Sequence, residues 1–194
     1  MDKYMLKPEE KNEFKSRLLK IIKEKSYREG DFTLASGKKS SFYLDVKETA
    51  LHPEGAFLIG TMILNTMLEN KLDAYAVGGM TLGADPIATS VSLAAFANGI
   101  SLPAFIVRKQ PKDHGTLAWI EGAKTFPKGA RLVVLEDVVT TGGSSLLAVE
   151  KLEEAGFKVV AILAVVDRLE GARPKIEKRG IKFFSLCDLL NLRS

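Results

Sequence analysis

The chain lacks the features that would set it apart from ordinary globular proteins. Its 194 residues include one cysteine, Cys187, which excludes an intrachain disulfide framework. Cys187 falls in the apolar stretch 183–190 and is expected to be buried as a small hydrophobe rather than to serve as a reactive thiol. No uninterrupted apolar run approaches the ~18 residues of a membrane span, and residues 1–10 carry charges but no apolar run of signal-peptide length. The expectation is a cytoplasmic protein with no membrane partner. Neither proline, at 7, nor glycine, at 16, is in excess, and there is no internal repeat or low-complexity linker. The chain therefore reads as one domain over 1–194. The charge balance is also slight: 28 Lys and Arg against 24 Asp and Glu, scattered rather than blocked. A dense basic stripe with interleaved aromatics, the mark of a nucleic-acid surface, is missing, while small anionic substrates remain compatible.

What the chain does have is alternation. Residues 9–27 have the spacing of an amphipathic helix, with Phe14, Leu18, Ile21 and Ile22 on one stripe. Ser36-Gly37-Lys38-Lys39 reads as a turn leading to a strand in which Phe42, Leu44 and Val46 alternate with polar residues. A second helix is expected over 54–70, with Phe57, Ile59, Met62, Ile63 and Met67 inward, followed by a short apolar strand at 74–77 that runs into Gly78-Gly79. Asp85 is expected to cap a helix that has Pro86 at its first position and ends near Asn98. Strands are expected at 102–107, 131–135, 159–166 and 181–184, with a helix at 144–155 stopped by Gly156. Strands apolar on both faces, alternating with helices, indicate an α/β fold with a mainly parallel central sheet flanked by helices. In such folds ligands bind outside the carboxyl ends of the strands. The polar clusters Gly78-Gly79, Arg108-Lys109, Glu136-Asp137 and Asp167-Arg168 all follow strand ends, so they are expected to converge on one crevice.

The chemistry centres on residues 133–144, Val-Val-Leu-Glu-Asp-Val-Val-Thr-Thr-Gly-Gly-Ser: a buried strand, two carboxylates, a small hydroxyl- and glycine-rich loop, then a helix. Val138, Val139, Thr140, Thr141, Gly142, Gly143 and Ser144 can turn backbone N–H groups and hydroxyls toward a phosphate at the positive end of the helix dipole. No Lys-Ser/Thr pair follows the glycines, so this is not a Walker loop, and the G-x-G-x-x-G dinucleotide spacing is absent. Glu136 and Asp137 beside a phosphate cradle suit a ligand with vicinal hydroxyls next to its phosphate, as in a ribose 5-phosphate.

The segment resembles the 5-phosphoribosyl-1-pyrophosphate (PRPP) motif of type I phosphoribosyltransferases, and three others narrow the resemblance to the orotate phosphoribosyltransferases. Residues 108–115, Arg-Lys-Gln-Pro-Lys-Asp-His-Gly, place four basic side chains on a loop suited to a leaving pyrophosphate. Their order is similar to the family's flexible catalytic loop, which implies PRPP contacts from Arg108, Lys109, Lys112 and His114. It also implies a homodimer whose active sites are shared, with Lys112 and His114 closing over the partner's site. Residues 32–37, Phe-Thr-Leu-Ala-Ser-Gly, are similar to the family's orotate-covering segment, which implies a small N-terminal hood over about 1–50 with Phe32 and Ser36 at the base. Arg168 matches the arginine that holds the orotate carboxylate, where a planar bidentate donor is apt, although an arginine so placed also suits an ion pair with Glu170. Thr140 matches the threonine that contacts orotate.

The resemblance thus implies a type I phosphoribosyltransferase-like fold that transfers ribose 5-phosphate from PRPP to orotate. Catalysis would fall to Lys112, His114, Glu136 and Asp137. Mg²⁺ would be held mainly through PRPP and water, with no direct protein ligand. Two departures stand out: Ala35 and Gly83 occupy positions where many bacterial members have lysine, which leaves glycine-loop amides and Lys47 as the candidates to replace those contacts. A purine or uracil phosphoribosyltransferase is disfavoured because those bases have no carboxylate to recruit Arg168. A nucleic-acid-binding regulator of this fold is disfavoured by the intact basic loop.

Overall fold

The computed structural model describes residues 5–33, 37, 39–111 and 119–193. The chain opens with helix α1 (Pro8–Ile21), which widens into a π-helical turn (Ile22–Ser26), so the expected single helix to 27 is two forms in series. Strands β1 (Tyr27–Thr33) and β2 (Lys39–Leu44) pair antiparallel in a small sheet of their own. Then come α2 (Lys47–Ala50), α3 (Pro53–Glu69), β3 (Ala76–Met80), α4 (Ala84–Ala97), β4 (Ala104–Val107) and β5 (Ile120–Glu121). The chain closes with β6 (Arg131–Val139), α5 (Gly143–Glu154), β7 (Lys158–Asp167), α6 (Ala172–Glu177), β8 (Lys182–Asp188) and α7 (Leu189–Arg193).

The main sheet runs β5-β4-β3-β6-β7-β8, and only β5 is antiparallel to its neighbour. β3 leads outward to β4, whereas β6 returns to the other side of β3. The order therefore reverses between β3 and β6, the point at which open α/β sheets bind ligands. Helices cover both faces. The β6 residues Val133 and Leu135 pack into the core that holds Leu18, Ile59, Ile63 and Ile87 from α1, α3 and α4. Leu132 and Val134 pack into the core that holds Ala148, Leu152 and Ile176 from α5 and α6. This pleat alternation, with a period of two residues, dictates the geometry at the strand's end.

Three expectations need correction. Phe57 does not face inward: it is 56% exposed and meets Phe14 edge-on at 5.8 Å on the outer side of α3. Asp85 is not the cap of α4. The helix begins at Ala84 after Gly83, and Asp85 Oδ2 instead accepts a hydrogen bond from Thr81 Oγ1 at 2.7 Å. β6 does not end at the carboxylates but continues to Val139, paired with β7 as far as Asp167. Cys187 is buried as expected, and burial pushes its thiol up to about 12, which keeps it protonated.

Candidate active site

Because side chains alternate along β6, its two adjacent carboxylates point to opposite faces. Glu136 follows Leu132 and Val134 toward α5, where it is 7% exposed and accepts a 2.6 Å hydrogen bond from Ser145 Oγ. Burial raises its pKa from 4.5 to about 7; the Ser145 bond works against that shift and the Asp137 charge adds to it. Asp137 follows Val133 and Leu135 toward α4. A Cβ built on Gly83 would lie 2.6 Å from the Asp137 carboxyl, so a larger residue there would displace that side chain. Gly79 is more tightly restricted, since a Cβ there would strike the backbone carbonyl oxygen of Leu135 in β6. The Thr81–Leu82 peptide in this loop is cis. On the hood side, Lys47 Nζ lies 3.9 Å from Asp137 Oδ2 and 2.6 Å from Asp45 Oδ1.

Beyond β6, Thr140 and Thr141 lead to Gly142, whose φ of +80° turns the chain into α5. No side chain caps this helix, so its first N–H groups are available to an anion. Helix α6 supports the loop from behind: Gly142 packs toward Ala172 and Ile176, and Lys175 Nζ donates to the Thr141 carbonyl at 3.3 Å.

Arg168 stands one strand over. Its backbone N–H donates to the Val139 carbonyl at 2.9 Å, which places it directly beside the phosphate loop. Its guanidinium lies 4.7 Å from the Phe42 ring centroid and pairs with Glu170 at 2.8 Å. Its Nε is buried and has no partner among the described residues. Such a buried charged donor is costly unless something accepts from it. Phe42, which in sequence passes for an ordinary strand residue, therefore joins the hood to the site. Phe32, in β1, packs on Tyr43 at 5.7 Å.

At the end of β4, Arg108 pairs with Glu121 at 2.9 Å and donates from Nε to the Gln110 carbonyl at 3.2 Å. Arg108 and Lys109 share a cleft of about 450 Å³ with Thr81 and Asp85, which sets this loop's base beside the glycine loop. Lys112, His114 and Ser36 lie outside the described residues. A separate cleft of about 770 Å³ lies between α1, α3, α6 and β8 and shares no residue with these groups.

A phosphoribosyl transferase domain model matches residues 58–186. Orotate phosphoribosyltransferase of Nostoc sp. is 44% identical over 91% of this chain and 84% of its own length, and that of Aquifex aeolicus is 44% identical over 92% and 97%. The chain belongs to the orotate phosphoribosyltransferase family. A crystal structure of Mycobacterium tuberculosis orotate phosphoribosyltransferase in complex with PRPP superimposes with a TM-score of 0.77 at 35% identity, covering 93% of this chain and 99% of that one. Membership accounts for the type I architecture, with its mainly parallel sheet and flanking helices. The motif residues gather as their strand-end positions indicate: Glu136, Asp137, Thr140 to Ser144, Arg168 and Arg108 all lie at the carboxyl ends of β6, β7 and β4. Sequence reasoning missed Ser145, Gly83 as the neighbour of Asp137, and Phe42. The signal for Ser145 was present: it lies nine residues after Glu136 and one past the phosphate loop.

Proposed function

We propose that the protein transfers ribose 5-phosphate from PRPP to orotate, giving orotidine 5′-phosphate and pyrophosphate for pyrimidine synthesis in the cytoplasm. One observation carries the choice of base. The buried, unpartnered Nε of Arg168 lies beside the phosphate loop on an aromatic support, where a planar carboxylate would satisfy it. Orotate is a planar ring bearing such a carboxylate. Its N1, having lost its proton to solvent, would bond to C1 of the ribose while the bond from C1 to the pyrophosphate oxygen breaks, and the electron pair leaves with pyrophosphate.

Thr140 to Ser144 hold the 5-phosphate on the uncapped N–H groups of α5. Asp137 and Glu136 hold the ribose hydroxyls, Glu136 as a carboxyl that titrates near neutrality and can therefore donate as well as accept. Thr140 and Arg168 orient orotate under Phe32 and Ser36 in a hood formed by about residues 1–50. Arg108, Lys109, Lys112 and His114 neutralise the departing charge. The work is positioning, electrostatic stabilisation and exclusion of water.

Mg²⁺ fits the donor set as a substrate-borne ion. Among the described residues no three His, Cys, Asp or Glu side chains converge into a cage, and Mg²⁺ takes one or two carboxylates plus phosphate oxygens and water. When bound, it would neutralise charge on the pyrophosphate. A homodimer is supported by exposed Phe57, Leu93 and Phe96 on α3 and α4, where an apolar cleft of about 510 Å³ opens. The deciding test is the fall in orotate ultraviolet absorbance with PRPP and Mg²⁺, run beside uracil, hypoxanthine and adenine. Turnover of orotate alone supports the reading; turnover of another base in its place overturns the role of Arg168.

A further inference from the structure

We propose that Lys47 is a PRPP-binding residue that supplies the diphosphate arm with the cation its glycine loop does not carry. The proposal rests on the phosphoribosyl transfer reading above. That loop, from Gly78 to Gly83, contains only glycine, methionine, threonine and leucine, so the loop itself has no positive charge to offer a diphosphate. A residue larger than glycine at position 83 would have to displace the Asp137 side chain. Lys47 approaches the same carboxylate from the hood side. Its ammonium is 3.9 Å from Asp137 Oδ2, and a Cβ on Gly83 would be 2.8 Å from that oxygen.

The placement along the sheet favours the diphosphate over the 5-phosphate. The 5-phosphate loop leaves β6 toward α5, on the face where Glu136 and Ser145 meet. Asp137, Gly83 and Lys47 lie on the opposite face, the α4 side; Thr81 of the same glycine loop and Asp85 just after it line the cleft at the base of the basic loop with Arg108. Lys47 is also free to move. Its side chain is 40% exposed, and its flexible stem can carry the charge from Asp45 to a phosphate oxygen without moving the backbone. The backbone is fixed independently, by the Lys47 N–H donating to Asp45 Oδ1 at 3.1 Å at the start of α2. Burial lowers the ammonium's pKa, but Asp45 and Asp137 more than offset this and hold it above its ordinary value, so the charge is present throughout the working pH range.

The test is calorimetric binding of three ligands to the full-length protein: pyrophosphate with Mg²⁺, ribose 5-phosphate, and orotidine 5′-phosphate. Loss of one charge-assisted phosphate contact weakens a ligand by about 10- to 100-fold. Lys47→Gln is expected to weaken pyrophosphate by about that factor and to leave the two monophosphates within about twofold, with Lys47→Arg recovering most of the loss. Unchanged pyrophosphate affinity in Lys47→Gln would overturn the proposal. So would an equal loss across all three ligands, which would make Lys47 a general support for Asp137. Wild-type protein that binds none of the three ligands would instead sink the underlying reading, an outcome visible before any variant is made.

Discussion

The buried carboxyl of Glu136 gives the folded protein a pH-dependent stability of predictable sign. Its pKa is raised from 4.5 to about 7, chiefly by burial, and a difference of that size corresponds to roughly 3 kcal/mol by linkage. The folded state holds this proton more tightly than the unfolded chain does. The favourable contribution is therefore complete below about 4.5 and is lost progressively as the pH rises through about 7. Glu136→Gln keeps the shape and the hydrogen bond from Ser145 but cannot ionise, so it loses this slope. Relative to wild type, the Gln variant should gain about 3 kcal/mol between pH 4.5 and pH 8. In a chain of this length that is about 6–12 °C in melting temperature. Ser145→Ala should act in the opposite direction, because the Ser145 bond is what restrains the shift. Urea or thermal unfolding of all three proteins at closely spaced pH values measures this directly. Parallel wild-type and Gln curves across that window would refute the reasoning, since Glu136 would then titrate as an ordinary carboxylate.

Arg168→Gln should raise the KM for orotate and lower kcat/KM by about 10²-fold, the loss of one buried charged contact, while PRPP binding measured by calorimetry stays near wild type. A loss confined to PRPP would move Arg168 out of the base site. Lys112→Ala should fold normally yet lose about 10²–10³ in turnover; a well-folded variant that keeps most of its activity would remove the basic loop from the mechanism. Gly142→Ala forces a side chain into a φ of +80° at the phosphate loop, and Gly129→Ala does so at +73° in open space. Each should cost about 1–2 kcal/mol of stability, but only Gly142→Ala should raise the KM for PRPP, and an equal effect on KM from both would argue against the loop's role.

The parallel sheet was legible because its strands are buried on both faces, which makes 131–135 and 159–166 nearly continuous apolar runs. The motifs were legible because strand ends mark the ligand side of such sheets. The elements that escaped are those whose existence depends on what they pack against. β5 is two residues paired to β4, α6 is six residues braced on the phosphate loop, and β1 has a polar outer face that alternates too weakly to announce a strand. Phe57 has the spacing of a core residue, yet α3 turns it outward, because periodicity gives a stripe but not which neighbour covers it.

The site's least legible feature was the division of labour between Glu136 and Asp137. As neighbours in sequence they look like one acidic pair. The pleat sends them to opposite sides of the sheet, and their chemistry then diverges according to what each side contains. On the α5 side Glu136 meets a hydroxyl and a low-dielectric core, which favours the neutral form. On the α4 side Asp137 meets a bare glycine and an ammonium, which leaves room for a substrate. The glycine loop carries no cation of its own, and on the proposal above Lys47 supplies one from the hood, 36 residues earlier in the chain.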